Sequence, residues 1–135
     1  LFGKISFAQE EEEVKKMCAS LNLKYNNINQ NVSELSGGNQ QKVALSKLLL
    51  SNCEILLLDE PTRGVDVGAK IEIFKLINDL AESGKTVIVI SSEMMELIGL
   101  CDRAIVIHEG EVAAVLDKKD INEENLIKYS MGVTA

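Results

Sequence analysis

The sequence predicts an α/β fold in which a mainly parallel sheet is flanked by helices and followed by a hairpin. Two short apolar runs, residues 55–58 and Thr86–Ile90, are typical of strands buried on both faces of a sheet. A segment of helical periodicity, Val67–Glu82, lies between them. A strand, a helix and a second strand in succession favour a right-handed parallel unit. Near the C-terminus, Glu109 and Gly110 separate two further apolar segments and indicate a hairpin.

The first third of the chain is predicted to hold two helices and an irregular connection. A helix is expected from residues 10–18, where Glu11 and Lys15 have the favourable i,i+4 spacing. Residues 25–32 are rich in Asn, which favours turns, so an irregular linker is expected there. A second helix is predicted over residues 39–50, because its aliphatic side chains form a wide apolar stripe.

The rest of the chain completes the sheet and adds its edge. Gly84, just past the segment Val67–Glu82, is a typical helix stop. The hairpin is expected at the edge of the sheet. The remaining predicted elements are a short helix at Met94–Leu100, hairpin strands at 104–107 and 112–116, and a terminal helix at 122–129.

Composition and charge exclude several classes of protein. The 135 residues carry 14 Lys and Arg against 21 Asp and Glu, a net charge of −7, which argues against a nucleic-acid partner. No apolar run approaches the ~20 residues that cross a bilayer. Cys18, Cys53 and Cys101 are widely spaced, which favours buried, reduced thiols over a disulfide frame or a zinc site. Because residue 1 is Leu rather than Met, we expect the chain to be part of a longer protein.

A glycine-containing segment directly precedes the second predicted helix. It consists of Ser36, Gly37, Gly38, Asn39 and Gln40. Glycines without side chains let backbone N–H groups approach an anion, and the start of a helix adds partial positive charge, so the segment suits a phosphate. The alternative is a flexible linker or an ordinary helix cap in which Ser36 satisfies an unpaired N–H group.

Two carboxylates follow the first predicted strand. Asp59 and Glu60 come directly after the apolar run 55–58, and ligands of parallel α/β sheets collect at the carboxyl ends of the strands. Asp59 has the chemistry to hold Mg²⁺, and Glu60 can orient or deprotonate an attacking water. The alternative is that the two acids begin a surface turn before Pro61.

Three motifs occur in order along the chain. L-S-G-G-N-Q at 35–40 is followed by L-L-L-D-E-P-T at 56–62 and then by Gly64, Val65 and Asp66. Together they resemble the nucleotide-binding domain of ABC transporters. In that family the three motifs are the signature loop, the Walker B strand with its catalytic Glu, and the D-loop.

The resemblance implies a role for each candidate residue. Asp59 would help to hold Mg²⁺, and Glu60 would act on the attacking water. Residues 36–38 would contact the γ-phosphate of ATP bound to an opposing domain. The full set implied to contact ATP is Ser36, Gly37, Gly38, Asn39, Gln40, Gly64, Val65 and Asp66.

A wider match points to one subfamily. D-E-P-T-R-G-V-D-V-G-A-K at 59–70, S-S-E-M at 91–94 and C-D-R at 101–103 are similar to the second ATP-binding domain of ribose and galactose type importers. Most ABC domains place a switch-loop His where this chain has Glu93. A carboxylate cannot donate a hydrogen bond to a phosphate, so Glu93 implies a weaker ATP site, which Glu60 would share.

The phosphate loop of the family is missing from this sequence. No G-x-x-x-x-G-K-[ST] motif occurs. Gly84, Lys85 and Thr86 resemble its tail, but Asp79 stands at the position of the first Gly, and a strand is predicted where a helix should follow. The chain alone is therefore expected to be inactive. His108, the single histidine, is predicted to be a surface or packing residue.

The resemblance implies one partial ABC ATPase domain of the P-loop NTPase fold. Residues 1–50 would supply part of the helical subdomain and the signature helix. Residues 51–135 would supply the Walker B strand, the D-loop, the switch region and the hairpin. The implied partners are a second ATP-binding domain in the same polypeptide and membrane permease subunits, with ATP and Mg²⁺ as cofactors. The implied location is peripheral, on the cytoplasmic face of the membrane, and the fragment is expected to be able to self-associate.

The implied function is the ATP-binding component of an ABC importer that couples ATP binding and hydrolysis to sugar uptake. Two alternatives stay open. One is an ABC-type ATPase outside membrane transport, and the other is a non-catalytic interaction fragment.

Overall fold

The computed structural model describes residues 6–51 and 53–133, so the outer ends of the predicted domain, 1–5 and 134–135, lie outside the described residues. Its elements are α1 (Phe7–Ser20), a 3-10 turn (Val32–Glu34), α2 (Gly37–Leu50), β1 (Ile55–Asp59), α3 (Val67–Glu82), β2 (Thr86–Ile90), α4 (Met94–Leu100), β3 (Arg103–His108), β4 (Glu111–Asp117), a second 3-10 turn (Lys118–Asp120) and α5 (Glu123–Ser130).

Strands β1 and β2 form the parallel pair that the apolar runs predict. Their register runs from Ile55 opposite Thr86 to Asp59 opposite Ile90, and α3 makes the crossover between them. Gly84 follows α3 with φ of +92°, a backbone conformation that glycine adopts without strain at a helix end.

The prediction that both faces of this sheet are buried is wrong for the described residues. Along β1, Leu56 and Leu58 are 2% and 5% exposed, whereas Ile55 and Leu57 are 64% and 62% exposed. On β2, Ile88 and Ile90 are half exposed. The physical reason is that the helices cover one face: Leu58 packs with α2 and α3 in a buried cluster (Leu45, Leu58, Ile73 and Ile77).

The hairpin forms a sheet of its own rather than an edge of the parallel sheet. In the described part of the chain, β3 pairs antiparallel with β4 alone, from Arg103 opposite Asp117 to His108 opposite Glu111. The two-residue turn has positive φ at Glu109 (49°) and Gly110 (82°), as the twist of a tight hairpin requires. A second buried cluster lies under this sheet and α5 (Ala104, Val106, Leu116, Ile121 and Leu126).

Helix α4 joins the two cores. Leu100 packs against the cluster under the parallel sheet, and Leu97 and Ile98 pack against the cluster under the hairpin. Within residues 6–51 and 53–133, no helix has the length and apolar character needed to cross a membrane. The cysteine prediction holds only in part, since Cys53 is exposed while Cys18 and Cys101 are partly buried.

The C-terminal helix is tied to the hairpin by the single histidine. The ring Nδ1 of His108 lies 2.8 Å from the carbonyl oxygen of Ser130. A Cβ placed on Gly132 would come within 2.5 Å of the same imidazole. The side chain is half-buried and acts in packing, one of the two roles predicted for it.

Candidate functional site

The glycine segment forms the first turn of α2 rather than the connection before it. The helix begins at Gly37, two residues earlier than predicted, with Ser36 at the N-cap. The Ser36 hydroxyl makes no capping bond and instead accepts from the Asn39 side-chain amide at 2.9 Å. The first N–H groups of a helix have no partner inside it, so this turn presents amides at the positive end of the helix.

The polar side chains of this segment brace it. Asn39 Oδ1 accepts from the backbone N–H of Lys24 at 3.0 Å, and Gln40 Nε2 donates to the carbonyl of Leu35 at 2.8 Å. An open groove of about 400 Å³ passes Ser36 and Asn39. The N-terminal end of α2 is therefore held by side-chain hydrogen bonds and is also accessible from solvent.

Both glycines pack closely against the start of α3 and the loop before it. A Cβ on Gly37 would lie 3.1 Å from the carbonyl oxygen of Gly64, and one on Gly38 would lie 2.5 Å from Cβ of Ala69. Gly64 itself has φ of +74°. The structure thus brings the segment Ser36–Gly38 together with the start of the predicted D-loop, although the two are far apart in sequence.

The remaining D-loop residues shape the start of α3. Val65 packs against the buried cluster under the parallel sheet. Asp66 is the N-cap of α3, and its Oδ1 accepts from the backbone N–H of Ala69 at 3.0 Å. The D-loop residues are therefore held by packing at Val65 and by the helix cap at Asp66.

The two carboxylates lie at the carboxyl end of β1, as predicted. Asp59 is the last residue of the strand and is exposed. Glu60 has φ of 47°, a left-handed conformation that costs a residue with a Cβ about 1–2 kcal/mol. Its backbone N–H donates to the carbonyl of Ile90 at 2.8 Å, and its Oε1 accepts from the backbone N–H of Ser92 at 3.0 Å. Glu60 is thus held against the loop that follows β2.

Glu93 lies on that same loop, at the N-cap of α4. Its carboxylate forms an ion pair with the ammonium of Lys70 from the first turns of α3. Ser91 Oγ accepts from its backbone N–H at 3.0 Å. The negative charge predicted at the switch position is therefore compensated by a cation that the sequence pattern had not singled out.

A second pair on these loops was missed by the sequence reasoning. The hydroxyl of Thr62 donates to Oε1 of Glu96, and both side chains are buried. The one available signal was an acidic residue inside the apolar sequence M-M-E-L-I-G-L of α4. A Glu is rarely buried without a partner, so a Glu in an otherwise apolar helix indicates a buried hydrogen-bond partner.

The residues present fit a magnesium ion held mainly by a nucleotide. Mg²⁺ is commonly bound through one or two carboxylates together with substrate phosphates. Asp59 offers one exposed carboxylate at the strand end. In the described ranges, no three or more His, Cys, Asp and Glu side chains gather into a cluster that would hold a metal by themselves.

The candidate residues thus form two groups. The first, called here the α2 group, consists of Ser36–Gln40 with Gly64–Asp66. The second, called the strand-end group, consists of Asp59, Glu60 and Glu93. The turn after β1 connects them, because it leads from Glu60 to Gly64. Within this turn the backbone N–H of Val65 donates to the carbonyl of Thr62 at 3.3 Å.

Comparisons with known proteins agree with this architecture. Residues 4–63 match the family described as ABC transporter. A ribose import ATP-binding protein from Ruegeria sp. is 52% identical over 130 residues, covering 96% of this chain and 25% of that protein. One from Caldanaerobacter subterraneus is 48% identical over 130 residues, covering 96% of the chain and 26% of the protein. A Halalkalibacterium halodurans protein, named as a candidate ribose/galactose/methyl galactoside import ATP-binding protein, is 51% identical over 125 residues, with coverages of 90% and 24%.

Solved structures give the same result for the fold. A dimeric, post-hydrolysis ATP-binding cassette bound to ADP and Pi superposes with a TM-score of 0.74 at 28% identity, over 87% of this chain and 51% of that one. The chain spans about a quarter of the length of the named relatives and about half of the solved cassette. In sequence and in fold, the chain is therefore similar to part of the ATP-binding cassette of ABC transporters.

Proposed function

We propose that this chain is part of the ATP-binding component of a sugar importer and that its two groups of residues act at two different ATP sites. The observation that carries the proposal is the packing of Gly37 and Gly38 on Gly64 and Ala69. This contact joins the helix end that suits a phosphate to the loop that leads from the two carboxylates. The relatives are named as ribose import ATP-binding proteins, which favours an importer over an ABC-type ATPase outside membrane transport.

The α2 group would complete an ATP site on an opposing domain. The first-turn amides of α2 and the partial positive charge of the helix end attract the γ-phosphate. The absence of side chains on Gly37 and Gly38 lets that phosphate approach the backbone. The opposing domain would be a second ATP-binding domain of the same polypeptide, and permease subunits would hold both domains at the cytoplasmic face of the membrane.

The strand-end group would serve the ATP site of this domain. Asp59 would hold Mg²⁺, which screens the phosphate charges when bound. Glu60 would orient the attacking water and accept its proton. The Glu93 carboxylate has no proton to donate to a phosphate, and the neighbouring ammonium of Lys70 is engaged in the ion pair with it. This favours a weaker site here and a competent site completed by the α2 group.

The proposal is tested with Gly37→Asp in the complete polypeptide, assembled with its permease. A negative side chain at this exposed first-turn position would repel a phosphate, so ATP hydrolysis and sugar uptake should both be mostly lost. Gly37→Asn is the matched control, because it brings the same Cβ contact with Gly64 and nearly the same volume without the negative charge. Equal activity of the two variants would contradict the proposal.

We expect the 135-residue chain by itself neither to hydrolyse ATP nor to bind it tightly, because the sequence has no phosphate loop. Isothermal titration of the chain with MgATP measures this directly. Micromolar affinity would show that the two groups alone suffice, which is contrary to the proposal.

A further inference from the structure

The most deeply buried polar contact on the described loops joins Thr62 to Glu96. The two residues are 0% and 1% exposed, and the Thr62 hydroxyl donates to Oε1 of Glu96. Oε2 of the same carboxyl group has no hydrogen-bond partner among the described residues. A buried carboxyl group held by one hydroxyl depends strongly on that bond.

This contact joins the loop after β1 to α4, next to the place where that loop meets the loop after β2 at Glu60. Thr62 lies two residues after Glu60, on the loop that follows β1, and Glu96 lies in the first turn of α4, four residues after Ser92. On the other side of this junction, Oε1 of Glu60 accepts from the backbone N–H of Ser92. The loop after β1 is therefore fastened twice, once at a half-buried position and once at a fully buried one.

The backbone of Glu60 needs such fastening. Its φ of 47° is a strained conformation for a residue with a Cβ, and it persists only where the surroundings hold it. The carbonyl of Glu60 accepts from the N–H of Arg63, and the carbonyl of Thr62 accepts from that of Val65, so Thr62 lies in the middle of the turn. Movement of Thr62 would be transmitted to Glu60 through this turn.

We propose that Glu96 is a positioning residue for Glu60. By holding the Thr62 hydroxyl, it fixes the turn after β1 and keeps the Glu60 carboxylate against the Ser92 amide. Glu96 is too deeply buried to meet a nucleotide, so it acts through Thr62. The contact stands on its own geometry, whereas its importance for hydrolysis rests on the proposed function.

The test is amide hydrogen exchange at Ser92, measured by NMR on the chain without nucleotide. Thr62→Val removes the hydroxyl at nearly constant shape, and exchange at Ser92 should accelerate about tenfold, the effect of losing one buried hydrogen bond. Thr62→Ser keeps the hydroxyl and should stay within about twofold of the wild type. Glu60→Ala, which removes the acceptor, calibrates full loss of the contact.

A control separates positioning from general loss of stability. Leu80→Ala weakens the packing at the C-terminal end of α3, next to the amino end of β2 and so at the opposite end of the parallel pair from both loops. It should leave Ser92 exchange unchanged relative to the amide of Cys101, which donates to Leu97 at the end of α4. Acceleration by this control equal to that by Thr62→Val, or none by Thr62→Val, overturns the proposal.

A second pair of variants decides the matter should Thr62→Val fail to fold. Glu96→Met removes the buried carboxyl group at similar volume and is expected to fold, because apolar replacements of buried charges are often neutral. Glu96→Gln keeps an acceptor for Thr62. Exchange at Ser92 that is faster in Glu96→Met but not in Glu96→Gln supports the proposal. Equal exchange in the two variants contradicts it. If exchange behaves as expected but Gly37→Asp leaves hydrolysis by the complete polypeptide intact, the proposed function fails and the positioning role stands.

Discussion

The α2 group and the strand-end group are built in opposite ways. The α2 group is held mainly by close packing of α2 on the start of α3 and the loop before it, with a glycine at each close approach. The strand-end group is held by side chains: Glu60 on the Ser92 amide, Glu93 on Lys70 and Thr62 on Glu96. The difference teaches that the first region should be sensitive to added volume and the second to changes of charge and hydrogen bonding.

The largest expected effect comes from adding one methyl group to the α2 group. The Cβ in Gly38→Ala would meet Cβ of Ala69 at 2.5 Å, so α2 must move away from α3, and the free energy of unfolding should fall by about 1–3 kcal/mol. The better helix propensity of Ala offsets at most about 1 kcal/mol of this. Urea unfolding measures the change.

Two further variants sharpen this prediction. Ala69→Gly removes the clashing atom, so Gly38→Ala combined with Ala69→Gly should recover stability relative to Gly38→Ala alone. Gly99→Ala, with open space around its Cβ, should be neutral or slightly stabilising. Equal destabilisation at Gly38 and Gly99 would remove the contrast between the two regions.

An intermediate effect is expected at the strand-end group. In the complete polypeptide, Glu60→Gln should lower steady-state ATP hydrolysis much less than Gly37→Asp, because Glu60 would serve the weaker site. The loss should stay below the ~10²–10⁴ that a working general base contributes. Comparable losses in the two variants would show that the two ATP sites are not unequal.

The smallest effect concerns the tie between α2 and α3. Buried Lys42 forms an ion pair with Glu72 and also donates to the carbonyl of Asn22 at 3.2 Å. The hydrogen bond and charge of Lys42 hold the pKa of Glu72 below its ordinary value. Because the folded-state pKa is lowered, this contribution is present above the unfolded pKa of about 4.3 and is lost as pH falls through the folded value.

The urea concentration at the unfolding midpoint should therefore decrease when the pH is lowered from 5 to 3. This decrease should be smaller in Lys42→Met. Glu72 is half exposed, so the difference between the two proteins is expected to be modest. A parallel acid response in both would mean that the ion pair does not stabilise the packing of α2 on α3.

Much of the fold was predictable because its signals are local. Periodicity and the Gly84 stop predict α3 and β2 at the bounds observed. The start of α2 was misplaced because glycine has low helix propensity, while here the two glycines are in the helix for the sake of packing on Gly64 and Ala69. That packing joins distant parts of the chain and leaves no periodic trace.

The candidate site was predictable where a motif carries it. Asp59 and Glu60 lie at the strand end as expected. Glu96 was missed because a single acid in a short helix does not reveal which distant hydroxyl it meets. The burial of β1 was overestimated because an apolar run indicates a strand that favours burial, but it does not show which face of that strand a helix covers.

The bare aliphatic side of the parallel pair, formed by Ile55, Leu57, Ile88 and Ile90, has a thermodynamic consequence. When two molecules meet on that side, association draws the equilibrium toward the native form by mass action. Such association would make the melting temperature of this chain rise with protein concentration, so values measured at different concentrations would differ.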